Sequence, residues 1–154
     1  MGASAQSEQF LSTLRRLLLA LVAIGLIGTA ADLLLLDHYE NGWQVAPLAL
    51  IGIALPVVVW MVVRESVAAV TTMRVIMVLF VLAGCLGIML HFNGNREFQH
   101  ELDPTLAGWA LVTKIMKAKA PPALAPAGMI QLGLLGLLST YRHPSLRLTA
   151  LDGR

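Results

Sequence analysis

The chain has 154 residues, 57% of them apolar and 13% charged, with a mean hydropathy of +0.75. A soluble domain of this size does not bury so much apolar surface, and at roughly 20 residues per bilayer crossing the length admits about four spans and no separate catalytic domain. A scattered formal charge of +2 excludes a nucleic-acid-binding surface, and the single cysteine, Cys85, excludes an internal disulfide, a CxxC relay, a cysteine-rich zinc site and an iron–sulfur cluster.

In chain order, Met1 to Ser12 read as a short polar tail. The first span follows at about 14–36, with its apolar core from Leu17 to Leu36. Ala30 and Ala31 imitate a signal-peptidase site, but Leu33 to Leu36 continue the run, so the segment reads as a retained anchor. The second span, 45–63, carries Pro47 in its first turn, where a missing N–H costs nothing, and Pro56 in its interior, where a kink is expected. The third covers 75–92. An outer loop, 93–122, comes next, and the fourth span, 123–140, follows the stiff Ala120-Pro121-Pro122. Within the loop, Asp103-Pro104 has the form of an N-cap and N1 proline, and the residues up to Met116 recur at helical spacing, with Trp109 on one face and Lys114 and Lys117 opposite. That helix either lies flat at the interface or packs on the bundle as a lid. The expected architecture is all-α: one domain, 1–154, forming a four-helix transmembrane bundle with an outer interfacial helix between spans three and four.

Loops rich in arginine and lysine stay cytoplasmic. Arg15, Arg16, Arg64, Arg74, Arg142, Arg147 and Arg154 fall on one side, against Arg96, Lys114, Lys117 and Lys119 on the other. Both termini are therefore expected in the cytoplasm, with a bacterial inner membrane as the natural setting. Trp43 and Trp60 sit where interfacial anchors of span two belong.

Two groups of residues carry chemical interest. Asp32 is a carboxylate within a span, which costs about 2.5 to 3.5 kcal/mol at the bilayer centre and less near an interface. It reads either as a proton- or ion-linked site or as a polar contact between helices, with Gln131 of span four as one partner. The second group gathers on the outer side: Asp37, His38 and Glu40 after span one, His91 at the end of span three, and Glu97, His100 and Glu101 beyond it. Glu97, His100 and Glu101 share one face of any helix formed there, and a Glu-x-x-His pair is half of a metal–carboxylate site. Nitrogen and oxygen ligands of this kind suit zinc, iron or manganese. His38 and His91 also end neighbouring spans at similar depth, the placement two axial haem ligands would need. The bland reading is a solvated polar rim.

Tyr141-Arg142-His143-Pro144 is accounted for by helix termination at a membrane boundary. No Gly-x-Ser-x-Gly, His-Glu-x-x-His, phosphate-loop or dinucleotide motif occurs. Small residues recur in every span, at Gly25, Gly28, Gly52, Gly84, Gly87, Gly128, Gly133 and Gly136, and favour close helix packing. Three functions remain open. One is an accessory or interaction subunit with lipid and a membrane-protein partner, or a second copy, around it. The others are a metal- or haem-binding redox protein and a transporter component using Asp32.

Overall fold

The computed structural model describes residues 2–118 and 122–146. Lys119, the Ala120-Pro121 stretch, Arg147 and Arg154 lie outside the described residues. The helices are α1 (Gly2–Leu35), α2 (Gly42–Val63), α3 (Val67–Leu102), α4 (Gly108–Met116) and α5 (Leu124–Ser139), and the backbone is helical again at 144–146. α1, α2 and α3 are long and apolar enough to cross a membrane, and α5 is a shorter apolar helix. The chain is therefore an all-helical, multi-pass membrane protein by helix length and hydropathy.

The ends of the helices are set by local chemistry. α1 stops in a Schellman turn: Asp37 adopts a left-handed φ of 51°, while His38 N donates to Leu33 O at 2.8 Å and Asp37 N to Leu34 O at 3.2 Å. Aspartate is one of the few non-glycine residues that tolerate this conformation. Asn41 starts α2 with a reciprocal capping box, its Oδ1 accepting from Gln44 N at 3.1 Å and its own N–H donating to Gln44 Oε1 at 3.2 Å. Ser66 caps α3 through Ala69 N at 3.2 Å. α2 continues as one helix through Pro47 and Pro56.

Three boundaries differ from the apolar runs. α1 begins at Gly2, so the polar tail is helical. α3 starts eight residues before Val75 and ends ten after Phe92, because polar side chains on an emerging helix need no apolar partner. At about 1.5 Å per residue its 36 residues span about 54 Å, well beyond the hydrocarbon thickness. Asp103 is the C-cap of α3 rather than the N-cap of α4. Its Oδ1 instead accepts from Thr105 N at 3.0 Å and Thr105 Oγ1 at 2.6 Å, an Asx turn that competes with capping. α4 starts only at Gly108, whose φ is +59°. It packs on α3, burying Leu111 and Ile115 and leaving Trp109 78% exposed.

α1, α2, α3 and α5 form a ring in which each touches two neighbours, and α3 with α5 is the most extensive pair. α5 runs antiparallel to α3, with Gly136 against Met77 and Met73 at one end and Pro126 against Gly84 and Gly87 at the other. Gly25 of α1 packs on Leu132 of α5. Gly28, Gly52 and Gly128 have no neighbour within 4 Å of the place a side chain would occupy, so three of the packing glycines expected from sequence face outward instead. The core is apolar throughout, built around Leu26, Ile51, Met73, Met77 and Phe80.

Candidate functional site

At the end where α1 closes, the Schellman turn folds His38 back toward α3. His38 and His91 then lie with ring centroids 5.9 Å apart and planes 18° from parallel. The capping box at Asn41 anchors the other side of the connection, with Glu40 N also donating to Gln44 Oε1 at 2.8 Å. Asp37 is turned to Tyr39, whose hydroxyl donates to its Oδ1 at 2.7 Å. That bond, with a small burial cost and the nearby Glu40 charge, holds the phenol above its ordinary pKa.

Glu97, His100 and Glu101 are exposed on the last turns of α3, and Glu40 is exposed in the connection. Helical spacing places the α3 three on one face, yet among the described residues no three histidine, cysteine or acidic side chains gather closely enough to hold a metal ion. The histidine pair is thus brought together by the fold, and the carboxylates stay apart from it.

Asp32 is exposed on α1, in the last turn before its end, and Gln131 is exposed on α5. Among the described residues neither side chain makes a hydrogen bond, to the other or elsewhere. Gly28, one turn before Asp32 on the same helix face, has open space beside it.

The opposite end holds a second constellation that the sequence reading left unused. Arg74 is pinned by Thr140, donating from Nε to Oγ1 at 3.1 Å and from Nη2 to the carbonyl at 2.9 Å. Arg15 Nη2 donates to Arg142 O at 3.1 Å and, more weakly, to Tyr141 O at 3.5 Å. Arg74 therefore caps the carbonyl end of α5, where cations are favoured by the helix dipole, and Arg15 holds the turn that follows. Arg142 takes a left-handed φ of 47°. His143 is 3% exposed, its Nδ1 accepting from Ser145 N at 3.4 Å, and Ser145 Oγ donates to Glu65 O at 3.1 Å. Burial holds His143 below its ordinary pKa, the Glu65 charge opposes that, and Arg15 and Arg74 reinforce it.

A cavity of about 890 Å³ opens beside these groups, between α1, the end of α2 and the turn after α5. Its position was hidden in the sequence because Arg15 and Arg16 of α1, Glu65 after α2, and Arg142 and His143 after α5 lie far apart along the chain. The one local signal was a histidine set among boundary arginines in Tyr141-Arg142-His143-Pro144. Comparison with protein families, with curated proteins and with solved structures returns no match to this chain.

Proposed function

We propose that the chain is a non-catalytic four-span subunit of a membrane assembly, with α5 as the fourth span. α5 is about 24 Å long and lies alongside the middle of α3, so the slab of hydrocarbon that holds α3 from Met73 to Gly87 also surrounds α5. The end rich in arginine is the cytoplasmic one and both termini lie there, by the bias of charged loops. Reporters fused after Met1 and after Arg154 should both report the cytoplasm. A result on opposite faces overturns the four-span reading.

The observation that carries the subunit reading is the outward placement of Asp32 next to Gly28 on α1. An intramembrane carboxylate ordinarily faces a bundle interior or water. Here the interior is closed and apolar, and the carboxylate sits beside a glycine that permits close approach by another helix. A photo-crosslinking amino acid at Ala31 tests this in native membranes. The expected result is one discrete polypeptide adduct, identified by mass as another membrane protein or a second copy, and lost in Asp32→Lys. Lipid adducts alone would refute it. The transporter reading has less support, because Asp32 lies off the bundle axis.

The histidine pair favours a second reading, a metal-binding protein. Two imidazoles on one zinc at about 2.0–2.1 Å have ring centroids about 5 to 6 Å apart, close to the separation seen. The rings are stacked 18° from parallel, however, so at least one must turn about its side-chain torsions before both in-plane lone pairs meet one ion. Zinc titration of the wild type against His38→Ala and His91→Ala tests it. Equal uptake by all three removes the pair as a site.

A further inference from the structure

We infer that the cavity at the arginine-rich end binds a phosphate ester, with the phosphate held by Arg16, Arg142 and His143. The inference is independent of the subunit reading, which concerns the other end of α1.

The cavity, at about 890 Å³, is within the range of small-molecule sites. Its polar wall has three cationic side chains, Arg15, Arg16 and Arg142, and the buried His143. Arg15 is already committed to carbonyls of the turn after α5, which fixes its charge at the rim while Arg16 and Arg142 remain exposed. Among the described residues neither Arg16 nor Arg142 makes a side-chain hydrogen bond or ion pair. Glu8 and Glu65 also line the cavity, so the lining carries three cations against two carboxylates.

His143 supplies the independent pointer. Its Nδ1 accepts a backbone N–H, which leaves Nε2 as the protonated nitrogen of a neutral ring. Among the described residues no protein acceptor meets that N–H, and because Nε2 is not one of the buried unpartnered atoms it opens onto the cavity that the side chain lines. A donor that opens onto the cavity is free to meet a ligand acceptor, and phosphate oxygens supply one while pairing with the two arginines. Gln9, Ser12 and Ser139 add neutral polar groups, and Leu11, Leu19, Met61 and Val62 give the cavity an apolar side. Phosphate beside an apolar wall at a helix boundary describes an anionic phospholipid headgroup. A soluble phosphate ester shares the phosphate chemistry without using that wall.

The test is native mass spectrometry of the full chain, taken from nanodiscs of phosphatidylcholine doped with phosphatidic acid into neutral detergent. The expected result is one retained phosphatidic acid in preference to phosphatidylcholine. Retention should fall about tenfold or more in Arg16→Gln/Arg142→Asn, a pair chosen because asparagine tolerates the left-handed backbone at 142. Displacement by millimolar glycerol 3-phosphate assigns the site to a soluble ester, and resistance to it assigns the site to the lipid. Absence of any preference in the wild type, with no protection by glycerol 3-phosphate against carbethoxylation of His143, overturns the proposal whether or not the variant folds. Unchanged retention in a variant with wild-type helicity overturns it equally.

Discussion

Replacing Gly133 with alanine should force α3 and α5 apart. A Cβ there meets Met77 O at 2.7 Å and Val81 Cγ2 at 2.8 Å. Carbon and carbonyl oxygen rest at about 3.3–3.6 Å, so the backbones must part by about half an ångström. The obstacle is backbone, which cannot swing aside as the flexible Met77 side chain can at Gly136. Overpacking of this kind costs about 1–3 kcal/mol. Gly84→Ala meets the same limit, with Pro126 O and Ile130 Cγ1 each at 2.6 Å. Because one widening of the helix pair relieves both sites, the double variant should cost less than the sum of the singles by about 0.5–1 kcal/mol. Gly28→Ala, with open space beside it, should stay within about 0.5 kcal/mol of wild type. The assay is reversible unfolding in mixed micelles, followed by circular dichroism. The reasoning fails if Gly133→Ala behaves like Gly28→Ala, or if Gly84→Ala and Gly133→Ala are strictly additive.

Further expectations concern the two ends of the bundle. His143 is held below its ordinary value of about 6.5, so as pH falls the unfolded chain takes up the proton first. Its contribution to stability should be constant above that range, decline as pH drops through about 6.5, and level off below the folded pKa; unfolding titrations of His143→Gln should lack this component. Asp103 is held below its ordinary range chiefly by the hydrogen bonds from Thr105, so Thr105→Ala should raise its titration midpoint in carbon-13 NMR, and an unchanged midpoint would remove the Asx turn as the cause. Since the Asp103 shift is downward, its stabilising effect is present above the unfolded pKa and is lost on acidification through the folded one. Thr140→Val removes the Oγ1 acceptor of Arg74 but keeps the carbonyl acceptor, so the expected loss in unfolding free energy is about 1–2 kcal/mol, and a neutral effect would count against Arg74 as a clamp on α5.

The apolar runs made the helices legible because a span must satisfy its own backbone, leaving a long unbroken signal. The runs did not mark where helices end. Helix α3 continues through Asn93 to Leu102 and α1 reaches back to Gly2, since a helix already nucleated in the apolar segment propagates into polar sequence at little cost. Asp103-Pro104 shows the same limit at a single residue. Both an N-cap and an Asx turn suit aspartate, and the local sequence does not choose between them. The pairing of His38 with His91 was legible as a shared depth, but their approach depends on the left-handed turn at Asp37.

Sequence alone determined the solvent of this protein, its helical class, the candidate spans and the segregation of arginine to one end, because each follows from the composition of contiguous residues. Tertiary structure alone decided which glycines meet backbone and which face outward, that Asp32 points away from the bundle, and that Arg15, Arg16, Arg142 and His143 surround one cavity. Those outcomes depend on how each helix is rotated about its axis and on its depth against its neighbours. In spans apolar on nearly every side, no polar stripe records the rotation, and only the packed contacts fix it.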